Sequence, residues 1–144
     1  ARADGPPPTM TRFNITLQEG VDFVLHAVMN ALGSEVFVPK IPSYKITDLA
    51  EAVAPGCEQE EIGIRPGEKI HEEMITEADS YTSLDVGDYY VILPQNSERI
   101  MNEYLNGIGA EKVNPGFRYN SGENNKWLGV EELKGMVEKE VKGW

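Results

Sequence analysis

The chain has 144 residues, the length of one ordinary domain, and can bury a core without help from disulfides or metals. Hydrophobic residues are 40% and charged residues 26%, a globular composition, and no apolar run approaches the roughly 20 residues of a membrane-spanning helix. The formal charge is -11 with acidic residues spread along the chain, which argues against nucleic acid and anionic membrane surfaces as partners, since both recruit Lys and Arg clusters.

Residues 1 to 9 form a proline-rich lead-in, and residues 10 to 144 are expected to form the domain. Pro6, Pro7 and Pro8 favour an extended segment that cannot join a helix. The lead-in lacks the apolar stretch of a signal peptide and begins without Met, as expected of the cut end of a longer chain. From Met10 the texture is strand-like. Thr16-Leu-Gln-Glu19 then has the form of a capping box, and Val21, Val24, Leu25, Val28 and Leu32 recur at helical spacing behind it. Gly33 is the expected carboxy-terminal cap of that helix. A strand from Glu35 to Val38 stops at Pro39, and Lys40 to Tyr44 reads as a loop or edge segment. Thr47 is placed to cap a helix from Asp48 to Val53.

Glu60 to Ile64 reads as a strand running into the loop Arg65-Pro-Gly-Glu68, while Ile70 to Ile75 is ambiguous between strand and helix. Asp88 to Leu93 is a strand, and Ser97 is placed to cap a short helix to Leu105. Residues 107 to 126, rich in Gly, Asn and Pro, are expected to be mostly loop. Val130 to Val141 closes the chain as an amphipathic helix with Leu133, Met136, Val137 and Val141 inward. Short strands alternating with helices give an α/β class with a small, mixed sheet.

Enzyme machinery is mostly missing from the residues. No glycine fingerprint follows an opening strand, so no dinucleotide cofactor is expected in this chain. No tyrosine is followed four residues later by lysine, the spacing that lets a lysine lower a tyrosine's pKa from the next helical turn. The two histidines, His26 and His71, are 45 positions apart, and His71-Glu-Glu lacks the second histidine of a zinc motif, so no metal site is expected. His26 reads as a helix-surface residue. The single cysteine, Cys57, excludes an internal disulfide and reads as a passive thiol in a reducing cytoplasm. Glu68, Glu72 and Glu73 could serve as acid/base carboxylates, but no nucleophile or metal cluster accompanies them.

What remains is the placement of cations. Arg12 sits between the proline-rich arm and a capped helix; Arg65 sits at a strand exit in a Pro-Gly turn, with Glu68 and Lys69 close behind. Pro66 fixes one backbone angle and Gly67 permits a positive one, so Arg65 and Glu68 are held in a defined geometry. A guanidinium fork suits a pyrophosphate, and a nearby carboxylate can accept from sugar hydroxyls. On spacing alone an Arg-Glu surface pair steadying a turn is the commoner arrangement.

At these residues a resemblance appears. Met10-Thr-Arg-Phe13, Ile15 to Phe23, Glu35 to Ser43, Lys45 to Ala50, Ile62 to Lys69, His71 to Met74 and Asp88 to Ile92 resemble, in order, the carboxy-terminal part of the inverting UDP-N-acetylglucosamine 4,6-dehydratases. Tyr119-Asn-Ser-Gly122 and Trp127 to Leu133 resemble the end of the same enzymes, which are extended short-chain dehydrogenases/reductases. The resemblance implies a small mixed α/β carboxy-terminal lobe of such an enzyme, without the Rossmann half that holds NADP and the catalytic tyrosine and lysine. It implies no catalytic residue here. It also implies substrate-binding roles: Arg12 and Arg65 on the diphosphate, Glu68 on a nucleotide hydroxyl, Met10 and Thr11 along the nucleotide path, and weaker parts for Lys40 and Lys69. The expected partners are a UDP-sugar and either a second copy or a Rossmann-domain partner, in the cytoplasm. In one departure from the family pattern, Pro7-Pro8-Thr9 stands where an acidic-basic pair usually precedes Met-Thr-Arg-Phe. A second reading, from another class, is a standalone non-catalytic module for interaction or dimerisation, because a separated lobe exposes the apolar face that met its partner domain.

Overall fold

The computed structural model of the chain describes residues 2–5 and 9–141; the three prolines of the lead-in and the side chain of Val141 lie outside the described residues. In chain order come β1 (Arg2–Gly5), β2 (Thr11–Phe13), α1 (Leu17–Asn30), β3 (Val36–Pro39), β4 (Ser43–Lys45), α2 (Ile46–Val53) and β5 (Glu58–Glu61). Next come β6 (Glu73–Ile75), β7 (Ser83–Asp85), β8 (Tyr89–Ile92), α3 (Glu98–Asn102), β9 (Glu111–Lys112), β10 (Tyr119–Asn120) and α4 (Val130–Val141). This is the mixed α/β class that the sequence suggested. The chain forms two compact units, one from Ala1–Asn14, Pro42–Glu72 and Asn120–Trp144, the other from Ile15–Ile41 and Glu73–Tyr119.

The second unit is built on a four-stranded antiparallel sheet in the order β3-β8-β7-β9. The run Tyr89-Tyr-Val-Ile92 suits its central strand because aromatic and β-branched side chains fill a pleated, half-buried surface. Leu84 and Val91, paired across β7 and β8, are buried with Leu93, Tyr104 and Ala110. α1 begins at the expected capping box: the Thr16 side chain accepts from the Glu19 amide, and the Glu19 carboxylate accepts from the Thr16 amide at 2.8 Å. One face of α1 sets Phe23 edge-on to Phe37 and Tyr89, with His26 5.1 Å from the Tyr89 ring. Its apolar stripe is exposed, Val24 at 59% and Val28 at 74%, and the helix has no buried residue.

Three cap expectations are corrected. Ser97 flanks α3, but its hydroxyl donates to the Pro94 carbonyl at 2.6 Å and makes no cap hydrogen bond. α1 ends at Ala31 in an extended conformation, and Gly33 does not adopt the positive φ of a glycine cap. Gly33 instead lies against Ile100, whose Cδ1 would be 2.5 Å from an added Cβ. Thr47 lies inside α2, whose first flanking residue is Lys45, without a side-chain cap.

In the first unit β2 pairs antiparallel with β4, and β1 runs parallel to β5. Lys40 to Tyr44 thus yields part of a real strand despite Pro42. α4 packs on α2, burying Leu133 and Ala52. Around β2 the buried set is polar as well as apolar: Met10, Thr11, Ser43, Asn120 and Ser121 are all within a few percent of full burial. The expected strand at 60–64 sits earlier, in β5, because Gly63 turns to φ 81 and ends it.

Candidate binding cleft

β2, the start of α2 and the loop after β5 enclose a cleft of about 220 Å³ in the first unit. It is lined by Met10, Arg12, Ile46, Ile62, Gly63, Arg65 and Glu68. The antiparallel register sets Arg12 opposite Tyr44, and the Ile46 amide donates to the Met10 carbonyl at 3.1 Å, which seats α2 beside β2. Across the cleft, Arg65 to Glu68 form a tight turn. The Glu68 amide donates to the Arg65 carbonyl at 3.0 Å, and Gly67 takes φ 86, the positive angle that a type II turn requires at its third position. The Glu68 carboxylate accepts from the Arg65 backbone amide at 2.9 Å. Glu68 therefore steadies the turn through the main chain, and among the described residues the Arg65 guanidinium holds no ion pair.

Arg12 is more engaged. Its Nη1 donates to the carbonyls of Thr11 at 2.6 Å and Ile70 at 3.2 Å, and Nη2 meets Met10 Sδ at 3.2 Å. Its Nε stands 3.9 Å from Glu72 Oε1, while Glu72 Oε2 accepts from the Phe13 amide at 2.7 Å. A guanidinium has five N–H donors, so this tethering fixes its plane and leaves donors for a ligand. Beside it, burial pushes the Tyr44 phenol above its ordinary value, Glu72 adds to the rise, and Arg12 opposes it.

Four of the five singled-out residues, Met10, Arg12, Arg65 and Glu68, thus share one cleft. Thr11 is not on its lining: the buried Thr11 hydroxyl meets His71 Nδ1 at 2.8 Å and Ser121 Oγ at 2.7 Å. Lys69 is exposed and off the lining. Lys40 belongs to the second unit, where it pairs with Asp85 at 2.6 Å and lies 4.3 Å above the Tyr90 ring. Sequence reasoning did not single out Ile46, Ile62 or Gly63 as site residues; Gly63 lay inside the run read as a strand, where a glycine was the one available sign of a turn. Among the described residues no helix is long and apolar enough to cross a membrane.

Residues 6–94 match the model of the family described as polysaccharide biosynthesis protein. The chain is 44% identical over 132 residues to UDP-N-acetylglucosamine 4,6-dehydratase (inverting) of Campylobacter jejuni, in a match that covers 89% of this chain and 40% of that carboxy-terminally matched enzyme. It is 34% identical over 134 residues to a UDP-glucose 4-epimerase of Rickettsia felis, covering 90% of this chain and 39% of the relative. A solved structure described as Pen from Bacillus thuringiensis superposes with a TM-score of 0.75 at 25% identity, over 97% of this chain and 42% of that one. The chain spans about 40% of the length of the curated relatives it matches.

Proposed function

Since the chain belongs to the polysaccharide biosynthesis protein family, we propose that it is the UDP-sugar-binding lobe of an NADP-dependent 4,6-dehydratase, with UDP-N-acetylglucosamine as ligand and the cytoplasm as location. The observation that supports this most directly is the meeting of Arg12, Arg65 and Glu68 in one cleft. Two guanidinium groups, one tethered and one free of ion pairs among the described residues, suit a diphosphate through paired charge-assisted hydrogen bonds. Glu68 uses one oxygen on the Arg65 amide and leaves the other to accept from a ribose or sugar hydroxyl. Met10, Ile46 and Ile62 supply apolar surface for a flat base.

The two named relatives catalyse different reactions, but both names contain a UDP-sugar, which supports the ligand class more directly than the reaction. The cleft is smaller than the roughly 300–1,000 Å³ of a complete small-molecule site, as one wall of a crevice would be. β4 passes into α2 through Lys45-Ile46 with no glycine turn, so this junction offers no dinucleotide cradle and no step through NADP is derived. In this reading the lobe is not catalytic alone.

Calorimetric titration tests the reading. Arg65→Ala is expected to weaken UDP-N-acetylglucosamine binding about tenfold, the value of one charge-assisted contact. Unchanged affinity would remove Arg65 from the site. A second reading, a non-catalytic module that associates with a second copy, is favoured by the exposed apolar stripe of α1.

A further inference from the structure

Behind the cleft lies a polar node. Thr11 Oγ1 is 2.8 Å from His71 Nδ1 and 2.7 Å from Ser121 Oγ, and Ser121 Oγ accepts from the Glu72 amide at 2.9 Å. Thr11 and Ser121 are buried, so each hydroxyl proton needs an acceptor. Only one order satisfies both among these partners: the Glu72 amide donates to Ser121, Ser121 to Thr11, and Thr11 to His71 Nδ1. That order requires a neutral imidazole with its proton on Nε2. The ring lies against Gly122, where an added Cβ would stand 2.6 Å from Nδ1 and 2.7 Å from Cγ.

The node ends beside Arg12. The Ile70 carbonyl accepts both the Thr11 amide, at 2.9 Å, and Arg12 Nη1, at 3.2 Å. Arg12 Nη1 also takes the Thr11 carbonyl at 2.6 Å. Ile70 precedes His71, and Thr11 precedes Arg12. The Thr11–His71 bond therefore ties together the two carbonyls that hold the guanidinium. We propose that His71 is a positioning residue for the cleft: through Thr11 and Ser121 it fixes the Arg12 guanidinium for an anionic diphosphate ligand. The ligand half of this proposal rests on the reading of the cleft given above.

The test uses the chain as it stands, with UDP-N-acetylglucosamine as probe and two readouts: the Arg12 Nε–H resonance of the free protein and the affinity. His71→Leu is expected to move the Arg12 resonance and weaken binding about fivefold, the share of one lost hydrogen bond. His71→Asn, whose amide oxygen can stand in for Nδ1, should restore both. In an Arg12→Ala background His71→Leu should cost no further affinity, which distinguishes positioning from a general loss of structure. Gly122→Ala, which crowds the ring without removing it, should reproduce the His71→Leu resonance change and serves if that variant fails to fold. An Arg12 resonance unmoved by both His71→Leu and Gly122→Ala overturns the proposal, as does a ring-nitrogen spectrum showing Nδ1 protonated. If the unmodified chain does not bind the probe, the cleft reading falls, and the Arg12 resonance alone decides whether His71 positions it.

Discussion

Glu35 accepts hydrogen bonds from the Leu32 amide at 2.7 Å and the Tyr104 hydroxyl at 2.8 Å. Burial pushes its carboxyl up, but these and neighbouring amide contacts outweigh it and hold the group below its ordinary 4.5. Burial and the same carboxylate raise the Tyr104 phenol. A carboxyl with a lowered folded value gives stability that is fully present above 4.5 and lost as pH falls through the folded value, because the unfolded chain then binds more protons. The melting-temperature gap between the parent and Glu35→Gln should therefore be open at neutral pH and narrow below 4.5; a constant gap contradicts this. At the same scale, the Arg65–Glu68 turn was legible because Pro66 and Gly67 dictate its backbone locally. The company of Arg12 was not, since its carbonyl partner Ile70 is 58 positions away. The role of His71 was illegible for the same reason: its hydroxyl partner lies 60 positions off, and spacing says nothing about such a distance.

Local signals placed most elements and failed where packing decided. The capping box of α1 is closed by atoms three residues apart, so sequence sufficed. Thr16→Ala should cost about 1 kcal/mol, roughly 3 °C in melting temperature for a chain of this size, measured by calorimetry. A change within error would mean that the cap is redundant. Gly33 offered a glycine-cap signal, but its place is set by the approach of Ile100 from another element. Ile70 to Ile75 was ambiguous by periodicity, and only Glu73–Ile75 became a strand. The apolar period of α1 was legible as well, but a period fixes which side chains share a face, not whether anything covers it.

Over the whole molecule, the chain spans about 40% of the length of its curated relatives, and Val21, Val24, Leu25 and Val28 of α1 stand exposed. If that stripe joins two copies, light scattering should show a concentration-dependent dimer that Val24→Asp disperses; a monomer at all concentrations sinks the association reading. The cleft's role as a sugar-nucleotide site is the central claim. Amide-resolved NMR titration with UDP-N-acetylglucosamine, with NADP as control, tests it most directly. The expected result is shifts clustered at Thr11 to Phe13 and Arg65 to Glu68, with none from NADP. A folded chain whose cleft amides stay still, or move equally with NADP, would contradict it.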